Sequence, residues 1–208
     1  MKFANRTEAG KNLAEVLAKE KYNDPLVLAI PRGGVVVAHP VAQALAAELD
    51  IIIPRKIGSP YNPEIAIGAI GPDGTVVLNR SLITYLKLTE EDLKSLIDQE
   101  MHEIERRTKT YRGTAEPPLV NDRSVILVDD GIATGLTVLA ALKGLKMQKP
   151  SQLILAVPVA PQDTLDRLYP EVDDIVCLLI PGDFQAVGQF YTSFDQTSDE
   201  EVLRLLGN

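Results

Sequence analysis

The chain has 208 residues, of which 45% are hydrophobic and 24% charged, and this composition excludes a protein that is disordered along its whole length. The formal net charge of −8 argues against a nucleic-acid partner, because a surface that binds nucleic acid needs clustered lysine and arginine. The single cysteine excludes an intramolecular disulfide, and the lack of a signal-peptide core or a membrane-length apolar run predicts a cytoplasmic protein without a membrane partner.

The first quarter of the chain predicts helix, strand, helix and strand in quick succession. The first helix covers residues 7–20 and is capped by Thr7, and the apolar run PLVLAI predicts a buried strand. A second helix follows over about 35–49, and IIIPRK at 51–56 predicts the next strand. A strand–helix–strand unit of this length favours parallel strands with a right-handed crossover.

The pattern changes in the next segment. The stretch NPEIAIGAIGPDGTVVLN alternates around a Gly-Pro-Asp-Gly turn and predicts an antiparallel hairpin. Thr89 and Asp92 then form a capping-box pattern that opens a long helix with one apolar and one charged face. Residues 109–123 have the composition of a loop.

The second half of the chain returns to alternating strands and helices. A strand VILV, a helix GLTVLAALKGL and a strand LILAVPV are followed by a helix at 162–169, the strand IVCLLI and a loop-like tail before a last helix capped at Ser198. The order predicts an α/β fold with a doubly wound, mostly parallel sheet. We expect a single domain over 1–208, with a core over about 24–180, an antiparallel and helical insertion over about 58–118, and a C-terminal hood or tail over about 181–208.

Three unusual loops follow predicted strands, at residues 31–34, 55–59 and 129–137. Ligands of doubly wound sheets bind outside the carboxyl ends of the parallel strands. We therefore expect the three loops to converge on one crevice.

The third loop begins with two adjacent carboxylates, Asp129 and Asp130. A helix-entry turn accounts for one acid, which the helix dipole favours, but poorly for two. A pair of ionised carboxylates is suited to accept hydrogen bonds from vicinal sugar hydroxyls. The small residues, amide groups and hydroxyls of residues 131–137 are suited to a terminal phosphate, although the stretch is neither GxxxxGK[ST] nor GxGxxG.

The thirteen residues VILVDDGIATGLT resemble the signature of type I phosphoribosyltransferases, which bind 5-phosphoribosyl-1-pyrophosphate (PRPP). Gly131 is a mild departure, because the family more often has an aliphatic residue there. The loop Pro31-Arg32-Gly33-Gly34 and the pair Arg55-Lys56 resemble the family's two pyrophosphate segments, in the same order along the chain. The likeness spans about residues 26–180, and with its flanks the chain is most similar to bacterial and archaeal phosphoribosyltransferases of unassigned substrate.

The resemblance implies an enzyme that transfers the 5-phosphoribosyl group of PRPP to a nitrogen acceptor, with Mg²⁺ as cofactor and pyrophosphate as product. It implies a pentosyltransferase of nucleotide metabolism that forms a homodimer. The residues it assigns fall into three groups. The catalytic residues are Asp129, Asp130 and Lys56, and both acids also reach the metal indirectly, through ribose hydroxyls or water. The residues that bind the 5′-phosphate are Gly131, Ile132, Ala133, Thr134, Gly135 and Thr137. The residues that bind pyrophosphate are Arg32, Gly33, Gly34, Arg55 and Lys56.

The acceptor is the least determined part of this hypothesis. Ala133 stands where some 6-oxopurine enzymes of the family carry an aspartate, which argues against that type of hypoxanthine or guanine mechanism. Phe184 and Tyr191 could stack on a planar base, and each could equally be a core residue. Glu64 could be a catalytic acid or base, although an acid in a solvated loop is the more ordinary explanation.

Three other functions stay open at this point. A PRPP-binding regulator on the same fold would carry the same motifs without catalysis. A nucleic-acid-binding regulator would use the local cations Arg106, Arg107, Lys109 and Arg112. A hydrolase with Asp129 as nucleophile would leave the Thr-Gly-x-Thr pattern and the PRGG loop unexplained.

Overall fold

The computed structural model describes residues 2–114 and 116–207. Its strands are β1 (Leu26–Ala29), β2 (Glu48–Ile51), β3 (Arg55–Gly58), β4 (Ala66–Ile70), β5 (Val76–Leu78), β6 (Ser124–Val128), β7 (Gln152–Val159) and β8 (Asp174–Leu179). Its α-helices are α1 (Arg6–Leu17), α2 (Gly33–Leu45), α3 (Arg80–Leu86), α4 (Glu90–Arg112), α5 (Leu136–Met147), α6 (Gln162–Leu168) and α7 (Asp199–Leu206).

The main sheet has the order β2-β1-β6-β7-β8, and every neighbouring pair in it is parallel. Alternate side chains of each strand enter two different cores. Val27 packs with α1, α2 and α7 on one face, and Leu28 packs with α5 and α6 on the other. The predicted parallel α/β sheet is therefore confirmed, and the carboxyl ends of its strands share one edge.

A smaller antiparallel sheet of order β3-β4-β5 lies outside the parallel one. Ile57, Ile67 and Ile70 form its core with Ile104 of α4. The predicted hairpin corresponds to β4 and β5, and the Thr89 capping box of α4 is present as predicted.

Several boundaries differ from the prediction, including the end of α4, which continues to Arg112 into the segment predicted as a loop. The run at 51–56 is not one strand: the parallel strand β2 ends at Ile51, and β3 begins at Arg55 in the other sheet. Pro54 lies between them and has no N–H group to continue a ladder. The cap of α1 is Asn5, whose side chain accepts from the Glu8 amide at 3.0 Å, and not Thr7.

Helix α2 begins at Gly33, two residues before the predicted start, and the short helix α3 was not predicted. Helices α1 and α2 cross closely at Gly10, where an added Cβ would lie 2.3 Å from the Val37 carbonyl oxygen. This close contact fixes the N-terminal helix beside the loop at residues 31–34.

No helix within residues 2–114 and 116–207 is long and apolar enough to cross a membrane.

Candidate functional site

The acidic pair follows directly after β6, the central strand of the parallel sheet. All five residues of β6 are buried, so the pair lies at the end of a fully packed strand. The Asp129 carboxylate accepts the backbone N–H of Asp130 at 2.8 Å, and the Ile132 amide is bonded to the Val159 carbonyl of β7 at 2.9 Å. These bonds fix the chain at both ends of the acidic turn.

The loop at residues 31–34, for which the sequence predicts a pyrophosphate-binding role, lies against this pair. A Cβ added to Gly33 would lie 2.0 Å from Asp130 Oδ2, and one added to Gly34 would lie 3.0 Å from the Val128 carbonyl oxygen. The Pro31–Arg32 peptide bond is cis. A side chain at position 33 would displace either the loop or the Asp130 carboxylate, because no free space separates them.

Arg6 contacts the acidic pair, and the sequence did not indicate it. Its Nε donates to Asp130 Oδ2 at 2.7 Å, its Nη1 donates to the Asp195 carbonyl oxygen at 2.7 Å, and its guanidinium lies 3.8 Å from the centre of the Phe194 ring. The side chains of Arg6 and Asp130 are only 12% and 16% exposed. This ion pair thus joins the N-terminal helix, the acidic pair and the C-terminal tail.

Both carboxylates are shifted toward the protonated form. Burial raises the pKa of Asp129 well above its ordinary value, and the neighbouring charge of Asp130 raises it further. Burial also raises the pKa of Asp130, while the Arg6 guanidinium opposes that shift. The site therefore holds two acids in a place that disfavours their charge, a pattern often found at functional sites.

Tyr191 lies beneath the acidic pair. Its hydroxyl donates to the Asp130 carbonyl oxygen at 2.6 Å, and its ring packs between those of Phe3 and Phe194, with centroid distances of 5.5 and 4.9 Å. Burial raises the pKa of this phenol. Tyr191 thus holds the backbone of the acidic pair through its hydroxyl. Because its ring is enclosed by other aromatic rings, its position does not favour the predicted base-stacking role, which stays a prediction.

Phe184, the other predicted stacking residue, is half-buried. It is stacked on Phe190 with a centroid distance of 5.4 Å. Of the two aromatics, Phe184 is the one with exposed surface in the C-terminal hood.

The two residues of the Arg55-Lys56 pair point to different places. Arg55 Nε donates to Glu100 Oε2 of α4 at 2.7 Å. Lys56 lies 3.9 Å from the carboxylate of Glu64 and lines a pocket of about 500 Å³ together with Thr134, Gly135, Leu136 and Arg167. Of the two basic residues, Lys56 is thus the one that shares a pocket with the loop at residues 131–137, predicted to hold the 5′-phosphate, and it belongs to the antiparallel sheet and not to a parallel strand.

Arg32, in the loop at residues 31–34, is held by the last helix. Its Nη1 lies 3.4 Å from Asp199 Oδ1, and the Tyr111 hydroxyl donates to the same oxygen at 2.5 Å. Burial and this hydrogen bond raise the pKa of Tyr111 to about 12. The cation predicted to face pyrophosphate is therefore already positioned by a carboxylate.

Three of the four basic residues that kept a nucleic-acid function open bond to acids. Arg106 and Arg107 both bond to Glu103 at 2.7 Å and hold the pKa of that carboxyl down to about 2. Arg112 bonds to Asp50 at 2.8 Å. Arg106 and Arg107 share one carboxylate and Lys109 is exposed, so the segment keeps some positive charge, and it is the net charge of −8 that argues against a nucleic-acid backbone as partner.

The donor set at the site is poor for a metal cage made by protein alone. Within the described parts of the chain, no group of three or more His, Cys, Asp or Glu side chains is placed to hold a metal ion. Mg²⁺ commonly keeps several waters and binds through one or two carboxylates plus substrate phosphates. Asp129 and Asp130 fit that second arrangement.

The sequence profile described as the phosphoribosyl transferase domain matches residues 4–193 of the chain. Two curated relatives from strains of Mycobacterium tuberculosis, both provisionally named phosphoribosyl transferase, are 40% identical over 204 residues, or 98% of this chain. The match covers 46% of each relative, so the chain spans about half the length of the curated relatives it matches.

Solved structures are similar as well. The protein TT1426 from Thermus thermophilus has a TM-score of 0.83 and 39% identity, covering 99% of this chain and 98% of that one. A Neisseria gonorrhoeae protein with bound ppGpp has a TM-score of 0.54 and 15% identity over 100% of this chain and 97% of that one. The hypoxanthine-guanine phosphoribosyl transferase of L. donovani has a TM-score of 0.50 and 15% identity, covering 88% of this chain and 84% of that one. The last two likenesses show a shared fold alone.

Proposed function

Because the chain belongs to the phosphoribosyl transferase family, we propose that it is an enzyme that transfers the 5-phosphoribosyl group of PRPP to a nitrogen acceptor and releases pyrophosphate. One observation carries this proposal: Gly33 of the pyrophosphate loop touches the carboxylate of Asp130 at the end of β6. Sugar hydroxyls and pyrophosphate are adjacent in PRPP, so the groups that would bind them must be adjacent in the protein.

In the proposed mechanism the protein mainly positions PRPP and stabilises charge. Asp129 and Asp130 accept hydrogen bonds from the ribose hydroxyls, and the Arg6 guanidinium favours the ionised form of Asp130 that can do so. The amides and hydroxyls of residues 131–137 hold the 5′-phosphate at the beginning of α5. Arg32, Gly33 and Gly34 face the pyrophosphate, and Lys56 approaches from the antiparallel sheet.

Mg²⁺ carried by the pyrophosphate and ribose oxygens would neutralise the leaving group when it is bound. Asp129 and Asp130 are the residues that would meet it, through hydroxyls or water. Homodimer formation is part of the proposal because the family resemblance implies it.

For the acceptor we propose a planar nitrogen base that stacks against the exposed part of Phe184. Ala133 has no group that could take a proton from such a base, so deprotonation would have to be carried out by another group. The proximity of Gly33 and Asp130 is equally compatible with a second candidate function, a PRPP-binding regulator without catalysis.

The test is to incubate the protein with Mg²⁺, PRPP and a panel of nitrogen bases, and to measure pyrophosphate release. Acceptor-dependent release supports the transferase, and PRPP binding without release across the panel supports the regulator. In calorimetry, Asp129→Asn/Asp130→Asn should weaken PRPP binding at least 100-fold, since two charged hydrogen-bond acceptors are lost at about 1.5–3 kcal/mol each. Asp98→Asn/Asp166→Asn, at two exposed acids, is the matched control. Unchanged binding by the active-site pair would remove the assignment.

A further inference from the structure

Helix α6 holds the outer side of the phosphate loop through two carbonyl groups. The Thr164 hydroxyl donates to the Ala133 carbonyl oxygen at 2.7 Å. Arg167 Nη2 donates to the Thr134 carbonyl oxygen at 3.2 Å and to the Thr164 hydroxyl oxygen at 2.8 Å. Because a hydroxyl has a single hydrogen, the bond that Thr164 accepts from Arg167 leaves that hydrogen free to point at Ala133.

These two bonds determine where the loop amides point. A trans peptide group directs its C=O and its N–H to opposite sides. With the carbonyls of Ala133 and Thr134 turned toward α6, the amides of Thr134 and Gly135 must point away from α6. In the described chain these two amides, like that of Ala133, meet no hydrogen-bond acceptor from the protein.

Gly135 adds a steric observation. Its φ is +72°, which favours glycine, and a Cβ placed on it would lie 2.8 Å from Cγ2 of Thr164. Thr164 is buried, its hydroxyl bonds to Ala133, and its methyl group lies beside Gly135, two residues further along the loop. The beginning of α5 and the side chain of Thr164 form one packed unit.

We infer that Thr164 and Arg167 are positioning residues for the 5′-phosphate. They hold the loop carbonyls on the outer side so that a row of unpaired amides faces the phosphate before it binds. Preorganised donors of this kind require no rearrangement on binding. The inference rests on the proposed function, because it concerns the phosphate subsite of the same ligand.

The experiment compares ligands that do and do not contain the 5′-phosphate. Binding of ribose 5-phosphate, PRPP and Mg²⁺-pyrophosphate is measured by calorimetry for the wild type and for Thr164→Val, Thr164→Ser, Arg167→Gln and Arg167→Lys. Valine keeps the shape of threonine and removes the hydroxyl, whereas serine keeps the hydroxyl. Asp166→Asn on the same helix is the matched control, since Asp166 is exposed and accepts from Gln162 within α6.

Thr164→Val and Arg167→Gln should each raise the Kd of ribose 5-phosphate and PRPP about tenfold, the loss expected for one hydrogen bond. Binding of Mg²⁺-pyrophosphate should not change, and Thr164→Ser and Arg167→Lys should stay within about threefold of wild type. A purely structural role would weaken all three ligands together. The partly exposed Arg167 keeps the test available if Thr164→Val does not fold.

If Thr164→Val and Arg167→Gln bound ribose 5-phosphate as tightly as the wild type does, the inference would be overturned and the proposed function would stay intact. Equal losses for ribose 5-phosphate and pyrophosphate would also overturn it, because the effect would then not be specific to the phosphate loop. A wild-type protein that binds neither PRPP nor ribose 5-phosphate would remove the proposed function itself, and the inference with it.

Discussion

The guanidinium of Arg6, in the first turn of α1, lies 2.7 Å from the carboxylate of Asp130, which is 124 residues further along the chain. Both side chains are largely buried, and Gly33 of the pyrophosphate loop is packed against both of them. An acid in such a place would tend to be protonated, and the cation opposes that tendency. The N-terminal helix therefore sets the charge of a residue that the proposed function needs ionised.

Replacing Arg6 with Gln should shift the pH dependence of PRPP binding to higher pH. Without the cation the pKa of Asp130 rises, so the ionised form that accepts ribose hydroxyls appears only at higher pH. We expect the midpoint of log Kd against pH to move upward, and affinity near pH 6 to fall about tenfold. Calorimetry from pH 5 to pH 8.5 would measure this.

The control is Arg204→Gln, which removes an arginine from an exposed ion pair on α7. Arg6→Lys separates charge from shape, because lysine keeps the positive charge but not the planar group that lies over Phe194. A uniform loss of affinity at every pH in Arg6→Gln would contradict the electrostatic explanation and leave only a packing role.

Asp129 should lower the stability of the ligand-free protein at neutral pH. Its folded-state pKa lies above its unfolded value, so the stability present below pH 4 is lost as pH rises through the folded pKa. Asp129→Asn removes that loss and can still accept the Asp130 amide. The free energy of unfolding should therefore be higher for the variant than for wild type at pH 8, and the difference should shrink as pH falls toward 4.

Urea unfolding at pH 5 and pH 8 without ligand measures this difference. Asp98→Asn, on the exposed side of α4, should show none of it. A variant that is less stable than wild type at pH 8 would show that Asp129 contributes more through hydrogen bonding than burial costs it.

Gly33→Ala should damage both stability and PRPP binding. The new methyl would lie 2.0 Å from Asp130 Oδ2 and 2.7 Å from Arg6 Nε, so the ion pair or the loop must move. Overpacking of this kind costs about 1–3 kcal/mol of unfolding free energy. Gly182→Ala is the control, because a Cβ there meets no atom within 4 Å. If Gly33→Ala matched Gly182→Ala in urea unfolding and calorimetry, the loop would be free to move away from the pair.

The sequence was most informative where the determining interactions are local. Short apolar strands, the caps at Thr89 and Ser198, and the run from Asp129 to Thr137 are defined by neighbours along the chain, and the sequence predicts them in place. The strand at Arg55 was misassigned because its local pattern does not say which sheet supplies its partner. Arg6 could not be predicted because its partner is 124 residues away and its helix shows only amphipathic spacing.

Tyr191→Phe should destabilise the protein by about 1 kcal/mol, the usual net contribution of a buried hydrogen bond. The change removes the 2.6 Å bond to the Asp130 carbonyl oxygen and keeps the ring contacts with Phe3 and Phe194. Tyr85→Phe is the control, since Tyr85 is 81% exposed. Urea unfolding gives the comparison, and equal stability of the two variants would mean that the carbonyl finds another donor, such as water.

Lys56→Gln should weaken PRPP binding and Arg55→Gln should lower stability, although the two residues are adjacent. Lys56 lines the pocket beside the phosphate loop, so its loss should weaken PRPP binding about tenfold, as expected for one charged contact, with little change in stability. Arg55 is bonded to Glu100 between β3 and α4, so its loss should cost about 1 kcal/mol of unfolding free energy and leave binding unchanged. Calorimetry and urea unfolding on both variants separate these effects. A loss of affinity in Arg55→Gln equal to that in Lys56→Gln would mean that Arg55 leaves Glu100 when PRPP binds, and that both basic residues face the pyrophosphate as the sequence motif predicts.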